Sequence, residues 1–130
     1  MGKFWRVMGS YNAESTTYTA VADTIAPSPY NPDFNGRLIG LRVIIGGDAA
    51  TTLTELVQFK LTCTAWNPNA IEAVGIGNGL RTAPAGAQRE VDHVVDQPIK
   101  SGVGITIEAR NVTADTPVGV RALIVGLFQI

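Results

Sequence analysis

The sequence predicts an all-β protein, an antiparallel β-sandwich of about eight strands with a jelly-roll-like arrangement. Three observations lead there. Apolar residues recur with period two in run after run, and no window sustains a helical period. The runs are separated by clusters of Pro, Gly, Asn and Asp, the residues that fit turn geometry. The whole pattern fits within 130 residues, which is one domain, 1–130, with room for a single core.

Taken in order, Lys3 to Tyr11 reads as a first strand, with Trp5, Val7 and Tyr11 on one side and Phe4, Arg6 and Met8 on the other. Ser15 to Thr24 is a second extended run. Residues 26–36 form a proline-rich loop or arm, because Pro27, Pro29 and Pro32 remove backbone donors and exclude helix or central strand. Arg37 to Ile45 is the clearest strand, with Ile39, Leu41, Val43 and Ile45 opposite Leu38, Gly40, Arg42 and Ile44. Leu53 to Trp66 alternates strictly, Val57, Phe59, Leu61, Cys63 and Ala65 inward. These two segments are expected to pair with each other as antiparallel neighbours.

Ile71 to Ile76 is a short strand and Gly77 to Gly86 a loop. Glu90 to Val95 sets Val91, His93 and Val95 against Asp92, Val94 and Asp96, and Gln97 to Gly102 turns the chain through Pro98. Gly104 to Asn111 places Ile105, Ile107 and Ala109 on one face. The final run is apolar on both faces. Val118, Val120, Ala122, Ile124, Phe128 and Ile130 share one side, and Leu123, Val125 and Leu127 the other. A strand apolar on both faces is expected inside a sheet sandwich, against another subunit, or both. An immunoglobulin-like sandwich is the alternative topology, although its Cys…Trp…Cys spacing is missing.

The bulk numbers narrow the function. Hydrophobic residues make up 45% and charged residues only 16%, below the usual quarter. A charge-poor exterior suits a surface covered by a partner. Net charge is −1, and the basic residues are scattered, so no stripe exists for a nucleic-acid backbone. No apolar stretch approaches the length of a membrane-spanning helix, and the opening M-G-K-F-W-R-V-M does not read as a signal peptide. Nucleic acid and membrane are therefore not expected partners. The lone Cys63 forms no intrachain disulfide. Asn111-Val112-Thr113 is a glycosylation sequon that matters only in a secretory pathway.

Chemistry-bearing residues are sparse. His93 is the single histidine, whereas a zinc site draws three or four ligands together; a strand histidine is the plainer reading. No serine sits in a G-x-S-x-G elbow. Gly75-Ile76-Gly77-Asn78-Gly79 is not followed by a helix, so it is not a phosphate cradle. Asp33, Asp48, Asp92, Asp96 and Asp115 favour turns rather than a calcium loop. No catalytic, cofactor or metal residue is assigned. Trp66, placed on the polar face beside a turn, is the best candidate for sugar stacking.

The start K-F-W-R-V, the arm I-A-P-S-P-Y-N-P-D-F, the strands R-L-I-G-L-R-V-I-I and L-V-Q-F-K-L-T-C-T-A-W, and the ending A-L-I-V-G-L-F-Q-I together carry a resemblance. The chain resembles small single jelly-roll virion proteins, such as phage capsid cement (decoration) proteins and single jelly-roll capsid proteins. The resemblance covers most of the chain as pattern, and no diagnostic residue is carried over. It implies symmetric assembly, arms and loops gripping neighbours, and no enzymatic activity. The expectation is a non-catalytic capsid or capsid-decorating subunit, found in the virion after assembly in the host cytoplasm, that self-associates and contacts other shell proteins. The interface candidates are Trp5, Pro27, Pro29, Tyr30, Pro32, Phe34, Leu123, Val125 and Leu127. A carbohydrate- or receptor-binding sandwich module is the alternative.

Overall fold

A computed structural model describes residues 2–12, 17–20, 29–46, 56–76, 89–111 and 121–130. Within them lie eight strands: β1 (Lys3–Asn12), β2 (Thr19–Ala20), β3 (Gly36–Gly46), β4 (Leu56–Thr62), β5 (Ala70–Ile76), β6 (Arg89–Ile99), β7 (Thr106–Asn111) and β8 (Arg121–Gln129). They form two four-stranded antiparallel sheets, the first in the order β1-β8-β3-β6 and the second in the order β2-β7-β4-β5. This interleaving, with the first and last strands adjacent and every successive pair except β4–β5 crossing between sheets, is a jelly-roll sandwich.

The predicted pairing of the third and fourth runs does not occur. β3 lies between β8 and β6, and β4 lies between β7 and β5 in the opposite sheet. Both runs bury one face in the shared core, which is why their patterns look alike, yet alternation carries no information about which strand is the neighbour. The predicted turn at Pro98 is likewise absorbed into β6. That strand is at the margin of its sheet, where proline is tolerated.

Between the sheets sits one core. Met8, Tyr11, Leu38, Leu41, Val43, Ile45, Val57, Phe59, Leu61, Ile105, Ile107, Ile124 and Phe128 are among its buried residues. Two irregularities decide which face some of them take. Opposite β8, β1 carries Met8 as an extra residue between Val7 and Gly9. Past that bulge the alternation inverts, so Tyr11 turns inward instead of continuing on the side of Trp5 and Val7. β3 carries Ile39 as an extra residue opposite β8, which puts Leu38 in the core with Leu41 and Val43 rather than beside Arg42 and Ile44. Gly126, on the inward side of β8, leaves the space that Met8 fills: a Cβ there would lie 2.6 Å from the Met8 sulfur.

The described part of the proline-rich segment, 29–35, closes one end of the sandwich. Tyr30 and Ile105 exchange two backbone hydrogen bonds of 2.8 Å, and Gly102 N–H donates to the Pro32 carbonyl at 3.0 Å. Asn35 Oδ1 accepts from Ser101 N–H. Phe34 and Tyr30 then pack on Phe4 and Phe128, with ring centroids 5.1 to 5.8 Å apart. At the turn that meets this lid, Gly102 has φ of 81°, a conformation glycine adopts without strain. Within the core Tyr11 O–H donates to Asn111 Oδ1 at 3.0 Å, a side-chain tie between the two sheets.

Candidate functional site: the outer face of the first sheet

The sheet registers fix the outer face of β1-β8-β3-β6 as a grid of four rows. Read from β1 to β6, they run Lys3–Gln129–Arg37–Pro98, Trp5–Leu127–Gly40–Val94, Val7–Val125–Arg42–Asp92 and Ser10–Leu123–Ile44–Glu90. Residues opposite one another in neighbouring strands share a face. The centre of this face is therefore apolar: Trp5, Val7, Leu123, Val125, Leu127, Ile44 and Val94. Trp5 is 45% exposed and Val94 97% exposed.

Charge sits in a controlled way on this surface. Arg42 Nε donates to Asp92 Oδ1 at 2.7 Å and its guanidinium lies 4.6 Å from the centre of the Trp5 ring. One planar cation thus reaches over β8 in one direction and holds a carboxylate in the other. That hydrogen bond lowers the Asp92 pKa below the usual carboxylate value and raises that of Arg42. Arg37 pairs with Asp96 at 2.5 Å. At the two margins of this face the signs differ: β1 presents Lys3, whereas β6 presents Glu90, Asp92 and Asp96, the two aspartates paired with Arg42 and Arg37.

The second sheet supplies an internal contrast. Its outer face carries Gln58, Lys60, Glu72, Glu108 and Arg110, joined by hydrogen bonds from Arg110 to Gln58 and from Gln58 to Glu72, and by the Lys60–Glu108 pair. Lys60 and Arg110 bracket the Tyr18 ring at 4.6 and 4.7 Å. Burial, with Glu72 adding to it, raises the Tyr18 phenol pKa. The same chain therefore builds one hydrated outer face and one greasy one.

Of the interface candidates from sequence, Trp5, Leu123, Val125 and Leu127 meet on the first sheet's outer face. Pro29 is exposed, Tyr30 and Phe34 are half-buried in the end lid, and Pro32 is buried; Pro27 lies outside the described residues. Sequence reading passed over Val7, Gly40, Arg42, Ile44 and Val94. A signal for Val94 existed: it is the apolar member of the outward set Asp92, Val94, Asp96.

Trp66 needs correction as a sugar platform. It is 4% exposed, and its indole N–H donates to the Pro98 carbonyl at 2.8 Å, so neither ring face is open. The chain bends away after Thr62, which breaks the alternation that had placed Trp66 on the polar side. Asn111, the sequon residue, is 1% exposed and holds Tyr11, out of reach of any glycosylating enzyme in the folded protein. His93 lies opposite Leu41, half-buried with Val91 and Val95. Among the described residues no three His, Cys, Asp or Glu side chains gather as a metal site. Asp48, Asp115 and Gly77 to Gly86 lie outside the described residues. Among the described residues no helix is long and apolar enough to cross a membrane.

No protein-family model matches the chain, and no curated protein matches it. Solved structures resemble it at low identity. The globular domain of a zebrafish complement 1qA protein aligns with a TM-score of 0.49 and 12% identity, covering 95% of this chain and 94% of that one. The Eiger TNF of S. frugiperda aligns with a TM-score of 0.44 and 12% identity, covering 98% and 91%. The P-domain of Macrobrachium rosenbergii nodavirus aligns with a TM-score of 0.28 and 9% identity, covering 96% and 90%. The architecture itself rests on the strand order.

Proposed function

We propose that this protein is a non-catalytic structural subunit of a virion shell, capsid-forming or capsid-decorating, that self-associates through the outer face of its first sheet. The observation that carries the reading is the contrast between its two outer faces. Contiguous apolar surface rimmed by polar groups marks an interaction site, and aromatic and Arg residues such as Trp5 and Arg42 concentrate binding energy. The polar face of the second sheet shows that the chain does hydrate a sheet when that sheet meets water. Assembly would take place in the host cytoplasm, and other shell proteins are the remaining partners. The sugar-stacking form of the carbohydrate-binding alternative loses its anchor with Trp66 buried.

Sedimentation velocity over a micromolar concentration series tests self-association, with Val125→Glu as the disrupted form. Wild type is expected to move to faster species with concentration, and Val125→Glu to stay monomeric with an unchanged far-ultraviolet spectrum. A wild-type monomer throughout overturns the proposal. Electron microscopy of the concentrated protein separates the two shell roles: closed particles for a capsid-forming subunit, small oligomers that coat a pre-formed shell for a decorating one.

A further inference from the structure

The grid of the outer face also specifies how a second copy sits on it. We infer that two copies pack face to face about a two-fold axis parallel to the strands, so that β1 of one copy lies over β6 of the other and β8 lies over β3. This inference rests on the self-association proposed above and adds its geometry.

A two-fold axis along the strands keeps each row on itself and reverses its order. Trp5 then meets the bare knob of Val94 in the second copy, and Leu123 meets Ile44. Leu127 lies over Gly40, whose outer side is lined by the Leu127 side chain of its own copy. Lys3 faces the Pro98 end of β6, next to Asp96, so a cation of each copy lies beside a carboxylate of the other. The neutralised Arg42–Asp92 pair lies over Val125 and Val7. Opposite charges and apolar contacts coincide in one arrangement.

The competing face-to-face arrangement has its two-fold axis across the strands, through the Trp5 row. It stacks Arg37 on Arg42 and Asp96 against Asp92 of the second copy, sets Gly40 on Gly40 and opposes Val94 to Val94. Arginine meets arginine and aspartate meets aspartate across the seam, a juxtaposition that disfavours the pairing. Area is consistent with a modest complex. Four strands at about 4.8 Å and eight residues at about 3.3 Å give a face of about 500 Å² per copy, or about 1,000 Å² in total. That is the lower edge of stable interfaces, so dissociation in the micromolar range is expected.

Two thiol variants read the geometry directly. Lys3 is exposed and Val94 is 97% exposed, so Lys3→Cys and Val94→Cys leave the fold intact; Cys63 is buried, and wild type reports its background. With a short bismaleimide, Val94→Cys alone is expected to cross-link no more than wild type, because the two copies of residue 94 lie about 14 Å apart laterally, three strand spacings. An equimolar mixture of Lys3→Cys with Val94→Cys is expected to give a covalent dimer, and the double variant is expected to stop at dimers. Cross-linking of Val94→Cys to itself overturns this axis in favour of the transverse one. A ladder of covalent trimers and higher species from the double variant overturns the two-fold in favour of a ring. Association without any cross-link overturns the face-to-face pairing but leaves self-association standing; a wild-type monomer at every concentration overturns both.

Discussion

Gly126 and Val125 are consecutive on β8 and point in opposite directions, so substituting each separates folding from docking. At Gly126 a methyl group would lie 2.6 Å from Met8 Sδ and 2.9 and 3.0 Å from the Phe128 ring. Non-bonded carbon atoms prefer about 3.5 to 4.0 Å, so each neighbour must retreat by about 1 Å. Met8 and Phe128 are both fully buried, and Phe128 is wedged among Phe4, Tyr30 and Phe34. Overpacking of this kind costs about 1 to 3 kcal/mol. The strand gains about 0.5 kcal/mol from replacing glycine, which leaves a net loss of about 1.5 kcal/mol. For a chain of this size that corresponds to a fall in Tm of about 4 to 8 °C. Gly126→Ala should therefore melt earlier in calorimetry while still associating, as judged by sedimentation below its Tm. Val125→Glu, measured dilute so that association does not stabilise it, should melt near wild type and fail to associate. Met8→Ala opens the colliding space, so the double variant Met8→Ala/Gly126→Ala should be less destabilised than the sum of the singles by about 1 kcal/mol or more. A Gly126→Ala protein that melts within about 1 °C of wild type refutes the packing account of Gly126.

Further outcomes follow from individual contacts. Tyr11→Phe removes the buried hydrogen bond to Asn111 and should lower the urea midpoint by the equivalent of about 1 to 2 kcal/mol; no change would show that the tie contributes nothing. Because Arg42 holds the Asp92 carboxyl below its usual value, the stabilisation it gives is present above about pH 4 and is lost as pH falls through the depressed value. Asp92→Asn should accordingly flatten the acid limb of a urea-midpoint against pH plot, and an unchanged slope would refute the coupling. Trp66→Phe forfeits the indole bond to Pro98 and should destabilise the fold by about 1 kcal/mol without altering retention on immobilised polysaccharide. At Gly36 a Cβ would fall on the Gln129 carbonyl oxygen, a backbone atom with little freedom to move, so Gly36→Ala should yield less soluble protein than Gly126→Ala in a parallel expression test.

The sequence by itself determined the class of the fold and most of the core. Period-two runs need only a strand and one buried face to be read. Val57, Phe59, Leu61, Ile105, Ile107, Ala109, Ala122, Ile124 and Phe128 are buried as their alternation predicted. It also determined that β8 is apolar on both faces, and hence that Leu123, Val125 and Leu127 look outward from a buried strand. Tertiary structure decided what alternation cannot encode. A bulge is a property of two paired strands rather than of one run, so the inversion at Met8 that buries Tyr11 and the one at Ile39 that buries Leu38 appear only with the register. Strand neighbours are likewise non-local: β3 and β4 separate into different sheets, and only then do Trp5, Leu127, Gly40 and Val94 fall into one row. The proline-rich segment shows the same division. Its composition excluded helix, but its partners lie far off in the chain, at Phe4, Gly102, Ile105 and Phe128, so only the folded chain could show that Tyr30, Pro32 and Phe34 close the end of the sandwich.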